Sequence, residues 1–132
     1  MTTDKRDLEK FPLHLGLGAR AVPQPEFTGM DWYAAYGERT AADGNEGRLV
    51  SMFSFGESWT SWERHPSGDE AVICTSGQIT LIQELPDGPH RITLRPGEYA
   101  VNPRGVWHTA DIAGHASAVF ITSGMGTENR PR

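Results

Sequence analysis

From Arg48 onward the chain is a succession of short β-forming runs cut by turn residues, and nothing else in it restricts the fold as strongly. The runs are RLVSMFSF, SWTSWERH, DEAVICTS, QITLIQEL, RITLRP, EYAVNP, VWHTADIA and ASAVFITS. Between or within them fall PSG, SG, PDGPH, PG, PRG and AGH, residues that supply the backbone angles of tight turns. Eight short strands punctuated in this way argue for a closed or two-sheet antiparallel structure, so a jelly roll or small barrel is predicted. An immunoglobulin-like sandwich would carry a Cys…Trp…Cys pattern, and this chain has one cysteine, Cys74.

Residues 1–47 have a different texture. The stretch FPLHLGLGARAVPQPEF carries Pro12, Pro23 and Pro25 and cannot be a long helix. TGMDWYAAYGERT reads as one or two helical turns with Asp31 near the start, and AADGNEG as a loop. Phe27, Trp32, Tyr33 and Tyr36 would be costly to leave in water. Residues 1–47 are therefore predicted to form an arm packed on a single domain of residues 48–132.

Composition narrows the class of function. Of 132 residues, 37% are hydrophobic and 22% charged, the balance of a folded domain rather than a disordered chain. A formal charge of −5, with no basic run beyond DKRDLEK, argues against a nucleic-acid surface. No apolar stretch approaches a membrane span, and MTTDKRDLEK has no apolar signal core. A lone cysteine excludes an intrachain disulfide. The expectation is a cytoplasmic protein whose partners are neither nucleic acid nor membrane.

The stretch WERHPSGDE concentrates the titratable groups. On a strand Trp59, Ser61, Glu63 and His65 share one face, Glu70, Val72 and Cys74 another, and Val106, His108, Ala110 and Ile112 a third. Two of these rows place one polar residue at the end of an apolar line, as in a strand that lines a pocket and offers one group at its mouth. A metal site, a pair of acids for proton transfer and a polar surface patch all fit this much.

Two spaced motifs take the reading further. Gly56, ESWTSW, Glu63, Arg64, His65, PSGD, Glu70, AVICTS, Gly77 runs close to G-x5-H-x-H-x3/4-E-x6-G. Gly97, EYAVN, Pro103, Arg104, Gly105, VW, His108, TAD, Ile112 runs close to G-x5-P-x-G-x2-H-x3-N. In both the chain resembles the cupins. It departs from the family pattern in one extra residue after Gly56, in Glu63 where the first histidine stands, and in Ile112 for the final asparagine. Both Asp69 and Glu70 suit the gap after His65, but only Glu70 stands seven before Gly77. The resemblance implies an all-β antiparallel jelly-roll barrel, and metal ligands at Glu63, His65, Glu70 and His108.

Two carboxylates at one end of a pocket resist joint ionisation, and a divalent ion removes that cost. His65, Glu70 and His108 form a two-histidine, one-carboxylate set, and Glu63 hardens it toward Fe, Mn or Zn, with Ni and Cu as lesser alternatives. Unligated, Glu63 is placed to act as a general base, its catalytic role here. The expected function is a small metal-dependent enzyme, by oxygenase or isomerase/lyase chemistry, with a small organic molecule as substrate and a homodimer as assembly. The alternatives are a non-catalytic ligand-binding module and a metal-free, epimerase-like cupin. Trp59, Val72, Val106 and Ala110 are expected to wall the pocket. Tyr99 is a hydrogen-bond donor beside the site if its face is interior. Cys74 reads as structural. His14, His90 and His115 read as solvated, with His14 and His115 weighed against overhanging the pocket mouth, and the tail TSGMGTENRPR reads as an ordered turn and a free basic end.

Overall fold

The structure, a computed structural model, describes residues 4–132; the first three residues of the predicted arm lie outside it. The arm holds β1 (Leu13–Gly16), β2 (Arg20–Pro23), the helix α1 (Met30–Arg39) and a 3-10 turn at Ala41–Glu46. The chain then runs β3 (Arg48–Phe55), β4 (Ser61–Arg64), β5 (Glu70–Leu85), β6 (Gly88–Leu94), β7 (Tyr99–Asn102), β8 (His108–Thr122) and β9 (Glu128–Pro131). All pairings are antiparallel. The fold is the all-β jelly roll that the sequence predicts.

Over residues 48–132 the strand count differs from the sequence reading in three places. DEAVICTS and QITLIQEL are one strand, β5, and VWHTADIA and ASAVFITS are one strand, β8. Each bends and passes from one sheet to the other. Ala71–Cys74 and Ser76–Gly77 of β5 pair with Ile121–Ala116 of β8, while Ile79–Gln83 pair with Ile112–His108. One layer thus runs β2-β1-β3-β8-β5-β7 and the other β9-β4-β8-β5-β6. The residues called turns, SG and AGH, are the corners of continuous ladders. At Gly77 (φ 66°) a Cβ would lie 1.9 Å from the carbonyl oxygen of His115, so the two strands cross there only because the side chain is a hydrogen.

The irregularity between Cys74 and Ile79 also keeps one side of β5 facing inward. Before it the buried residues are Glu70, Val72 and Cys74; after it Ile79, Leu81 and Gln83 take the inward alternation, with Ile82 buried as well. The shift from even to odd positions is what a bulge produces. Between the layers lie Val72, Cys74, Ile79, Leu81, Leu94, Ala110, Ile112, Ala116, Ala118 and Phe120. The third correction concerns the tail: Glu128–Pro131 pairs with β4, and Arg132 donates to the Trp59 carbonyl and to Asp111 Oδ1, so the basic end is held.

The arm extends a sheet rather than merely lying on it. β1 pairs with β3, with Leu13 opposite Val50 and Leu15 opposite Arg48, and β2 pairs with β1. The helix is ten residues long, more than the one or two turns expected, with Asp31 in its first turn and Arg39 in its last, where each suits the helix dipole. Trp32 is buried, stacked on Tyr36, and Phe27 sets its edge against Trp32, Tyr33 and Phe53. His14 is neither solvated nor at a pocket mouth: it is buried and hydrogen-bonded to Asp43 Oδ2 and Tyr36 Oη, each at 2.6 Å, while Arg20 grips both Asp43 oxygens at 2.8 Å. This cluster ties β1, β2, α1 and the 3-10 turn together.

Candidate metal centre

Local pairing brings the titratable groups to one place. Glu63 of β4 stands directly opposite His108 of β8. Glu70 opens β5 opposite Asn102 of β7. His65 follows β4, and its carbonyl accepts the Gly105 N–H at 3.0 Å, so the turn leading to His108 is sewn to the segment carrying His65. Asp69 turns the other way and accepts the Arg104 N–H at 2.7 Å, which leaves Glu70 as the inward carboxylate.

The four side chains converge, with one ligand atom from each lying within 4.8 Å of the others. His65 Nε2 is 3.4 Å from Glu63 Oε1 and 3.2 Å from Glu70 Oε2. His108 Nε2 is 3.3 Å from Glu63 Oε1 and 3.3 Å from Glu70 Oε1. Side-chain exposure is 7% for His65, 3% for Glu70, 1% for His108 and 27% for Glu63, so solvent reaches the cluster from the Glu63 side.

Partners outside the cluster aim each group. Thr127 Oγ1 donates to the Gly124 carbonyl and so accepts from His65 Nδ1–H, at 2.8 Å. His108 Nδ1 faces the Val106 carbonyl at 3.4 Å. Both imidazoles therefore turn Nε2 toward the carboxylates, as bracing from behind does for metal-binding histidines. Glu70 accepts from Asn102 Nδ2 at 3.1 Å and from Thr122 Oγ1 at 2.6 Å, and Gln83 in turn donates to Asn102 Oδ1 at 3.0 Å.

Burial alone would push the histidines down and the acids up. The facing opposite charges outweigh it. His65 is raised to about 10 and His108 to about 9 by Glu63 and Glu70, while the two carboxyls are held below the usual range by the two imidazoles. One atom nevertheless stays unsatisfied: His65 Nε2 is buried with no hydrogen-bond partner, close to both carboxylates but poorly directed at either. Two imidazole Nε2 atoms and two carboxylates around a common centre form a donor set that fits a divalent ion.

Several other expected residues fall elsewhere. Val72 and Ala110 are in the core with Trp59 packed against it, whereas Val106 is not part of that cluster. Tyr99 is 70% exposed and Val101 shares its outward face, so Tyr99 is no donor to the site. Cys74 is buried with its thiol directed at the Ser76 carbonyl, a structural position. Arg64 pairs with Glu128 and lies over Trp107, facing away from Glu63. His90 is exposed but lies in β6, and His115 in β8 near Ser76 and Ser117; neither is in a turn or at the cluster. Sequence reasoning missed Asn102, Thr122 and Gln83, whose only signal was polarity inside β-forming runs, and Thr127, which lies in the tail before β9. The Tyr33 hydroxyl is pushed up by burial and then by the negative field of Glu63 and Glu70.

Comparison with known proteins agrees with this fold. The family model described as Cupin domain matches residues 50–124. Among solved structures, protein NMB1881 from Neisseria meningitidis is 24% identical with a TM-score of 0.49, covering 57% of this chain and 72% of that one. Recombinant oxalate oxidase in complex with glycolate is 19% identical with a TM-score of 0.54, over 61% of this chain and 45% of that one. Hydroquinone 1,2-dioxygenase from Sphingomonas sp. TTNP3 with 4-hydroxybenzoate bound is 19% identical with a TM-score of 0.50, over 57% and 58% respectively. The chain thus spans about half the length of the two enzymes, and the likeness is one of fold. No curated protein matches its sequence.

Proposed function

Because the chain belongs to the cupin domain family, we propose that Glu63, His65, Glu70 and His108 hold one divalent metal ion and that the protein is a small metal-dependent enzyme acting on a small organic molecule. The observation that carries this reading is the buried, partnerless His65 Nε2 within a four-donor cluster whose imidazoles are both braced from behind. Fe, Mn and Zn suit such a mixed nitrogen and oxygen set. The ion supplies Lewis acidity toward a substrate oxygen or a site for dioxygen, and so supports oxygenase or isomerase/lyase chemistry. That two similar folds are an oxidase and a dioxygenase favours the oxygen-dependent branch. Glu63, the least buried member, either completes the ligand set or takes a proton from the substrate. Elemental analysis of the purified protein beside a His65→Ala, His108→Ala double variant tests the reading. About one metal per chain, lost in the variant, is expected; no metal after reconstitution overturns it.

One observation favours a second reading. Two imidazoliums facing two carboxylates balance their own charge, so the cluster can also work without an ion as an acid–base pair. Activity that survives exhaustive chelation would select it, and ligand binding without turnover would select a non-catalytic module. The proposal also includes a homodimer, in which a second copy covers Tyr99 and Val101 on β7. Light scattering reads that directly.

A further inference from the structure

We infer that the site takes an uncharged, flat compound bearing a carbonyl or hydroxyl oxygen in preference to a dicarboxylate, and that Trp59 Nε1–H is its second anchor. The inference rests on the metal reading above and narrows its substrate class.

Charge comes first. Two carboxylates and two neutral imidazoles around a divalent ion sum to zero, whereas a histidine in place of Glu63 would leave one positive charge to attract an anion. The surroundings do not make up the difference. Among the described residues no lysine or arginine is buried. The cations nearest β4 are committed elsewhere: Arg64 to Glu128 and Trp107, Arg130 to Glu84, Trp62 and Trp107, and Arg132 to Asp111 and backbone carbonyls. A second carboxylate on a ligand would enter this interior without a counter-charge.

Aromatic residues lie beside the cluster. Phe53, Phe55, Trp59 and Phe120 pack with ring centroids 5.6–6.4 Å apart, and the Trp59 ring lies 6.3 Å from that of His108. The aromatic surface therefore runs up to the cluster. Within it, Trp59 Nε1 is buried and has no hydrogen-bond partner. A buried indole N–H normally finds an acceptor. A small molecule with one oxygen at the cluster and another acceptor on its flat body would supply it.

The full chain is loaded with Zn(II), its metal content is measured, and it is titrated calorimetrically with 2′-hydroxyacetophenone and with oxalate. The neutral probe is expected to bind at least about tenfold more tightly than oxalate. Trp59→Phe should weaken the neutral probe roughly five- to tenfold with bound zinc unchanged, and Glu63→His should move the preference toward oxalate. Oxalate binding as tightly as the neutral probe, neither probe binding to the zinc-loaded protein, or an unchanged affinity in Trp59→Phe each overturns the inference. The wild-type preference is read independently of whether the variants fold. Failure to take up zinc appears in the metal content before any titration and marks failure of the metal reading itself.

Discussion

Glu63 is the departure from the motif that falls within the cluster itself, and the structure puts it directly across from His108, with Oε1 3.3 Å from His108 Nε2. A carboxylate there lowers the charge of the site by one relative to a neutral histidine. His108→Ala and Glu70→Ala are each expected to remove most of the bound metal while the protein stays folded, since each takes away a buried donor. Glu63→Gln should weaken binding by less, because its group is partly solvated. Full metal occupancy in either alanine variant, measured by competition with a chromophoric chelator, would sink the ligand assignment. Thr127→Val removes the acceptor behind His65 Nδ1, together with the hydroxyl's own bond to the Gly124 carbonyl, and should cost about 10–100-fold in metal affinity. The four clustered residues could be read from motif spacing. Thr127, Thr122 and Asn102 could not, because they meet their partners only across pairings of strands distant in sequence.

At the scale of elements, the long bent strands β5 and β8 hold the site together. Between them they carry Glu70 and His108, and their shared corner depends on Gly77. Gly77→Ala combines a left-handed backbone angle with a Cβ inside the His115 carbonyl, so it should destabilise by about 3 kcal/mol or more. Gly37→Ala is the control. That glycine lies in α1 with open space around it, and alanine should stabilise by roughly 0.5–1 kcal/mol. Urea unfolding compares the two, and equal midpoints would remove Gly77 from this role. The same glycine explains why the sequence reading split β5: a glycine after serine looks identical whether a chain reverses or a continuous ladder turns a corner.

For the whole molecule, the charged cluster couples folding to pH. Imidazoles held at about 10 and about 9 contribute stability that is complete below their ordinary value near 6.5 and is lost as pH rises through 9 and then 10. The two carboxyls, held low, contribute above about pH 4.5 and lose that contribution as pH falls. The metal-free protein should therefore be most stable between about pH 4.5 and 6.5 and lose Tm on the alkaline side. With the ion bound, both imidazoles are already deprotonated, so the alkaline loss should disappear and metal affinity should rise with pH. Thermal melts of both forms from pH 4 to 10 check this. An alkaline limb unchanged by metal would place the titrating groups outside the cluster.

Alternation and turn residues are local properties, and from them the sequence alone determined an antiparallel jelly roll; the motifs' resemblance to the cupins added the four residues that converge in it. The merging of runs into β5 and β8, the docking of the C-terminal strand on β4 and the commitment of His14 to Asp43 and Tyr36 were decided by tertiary structure. Each depends on which distant strand or side chain satisfies a backbone edge or a buried polar atom. That choice is made by packing of the whole chain, and no local pattern encodes it.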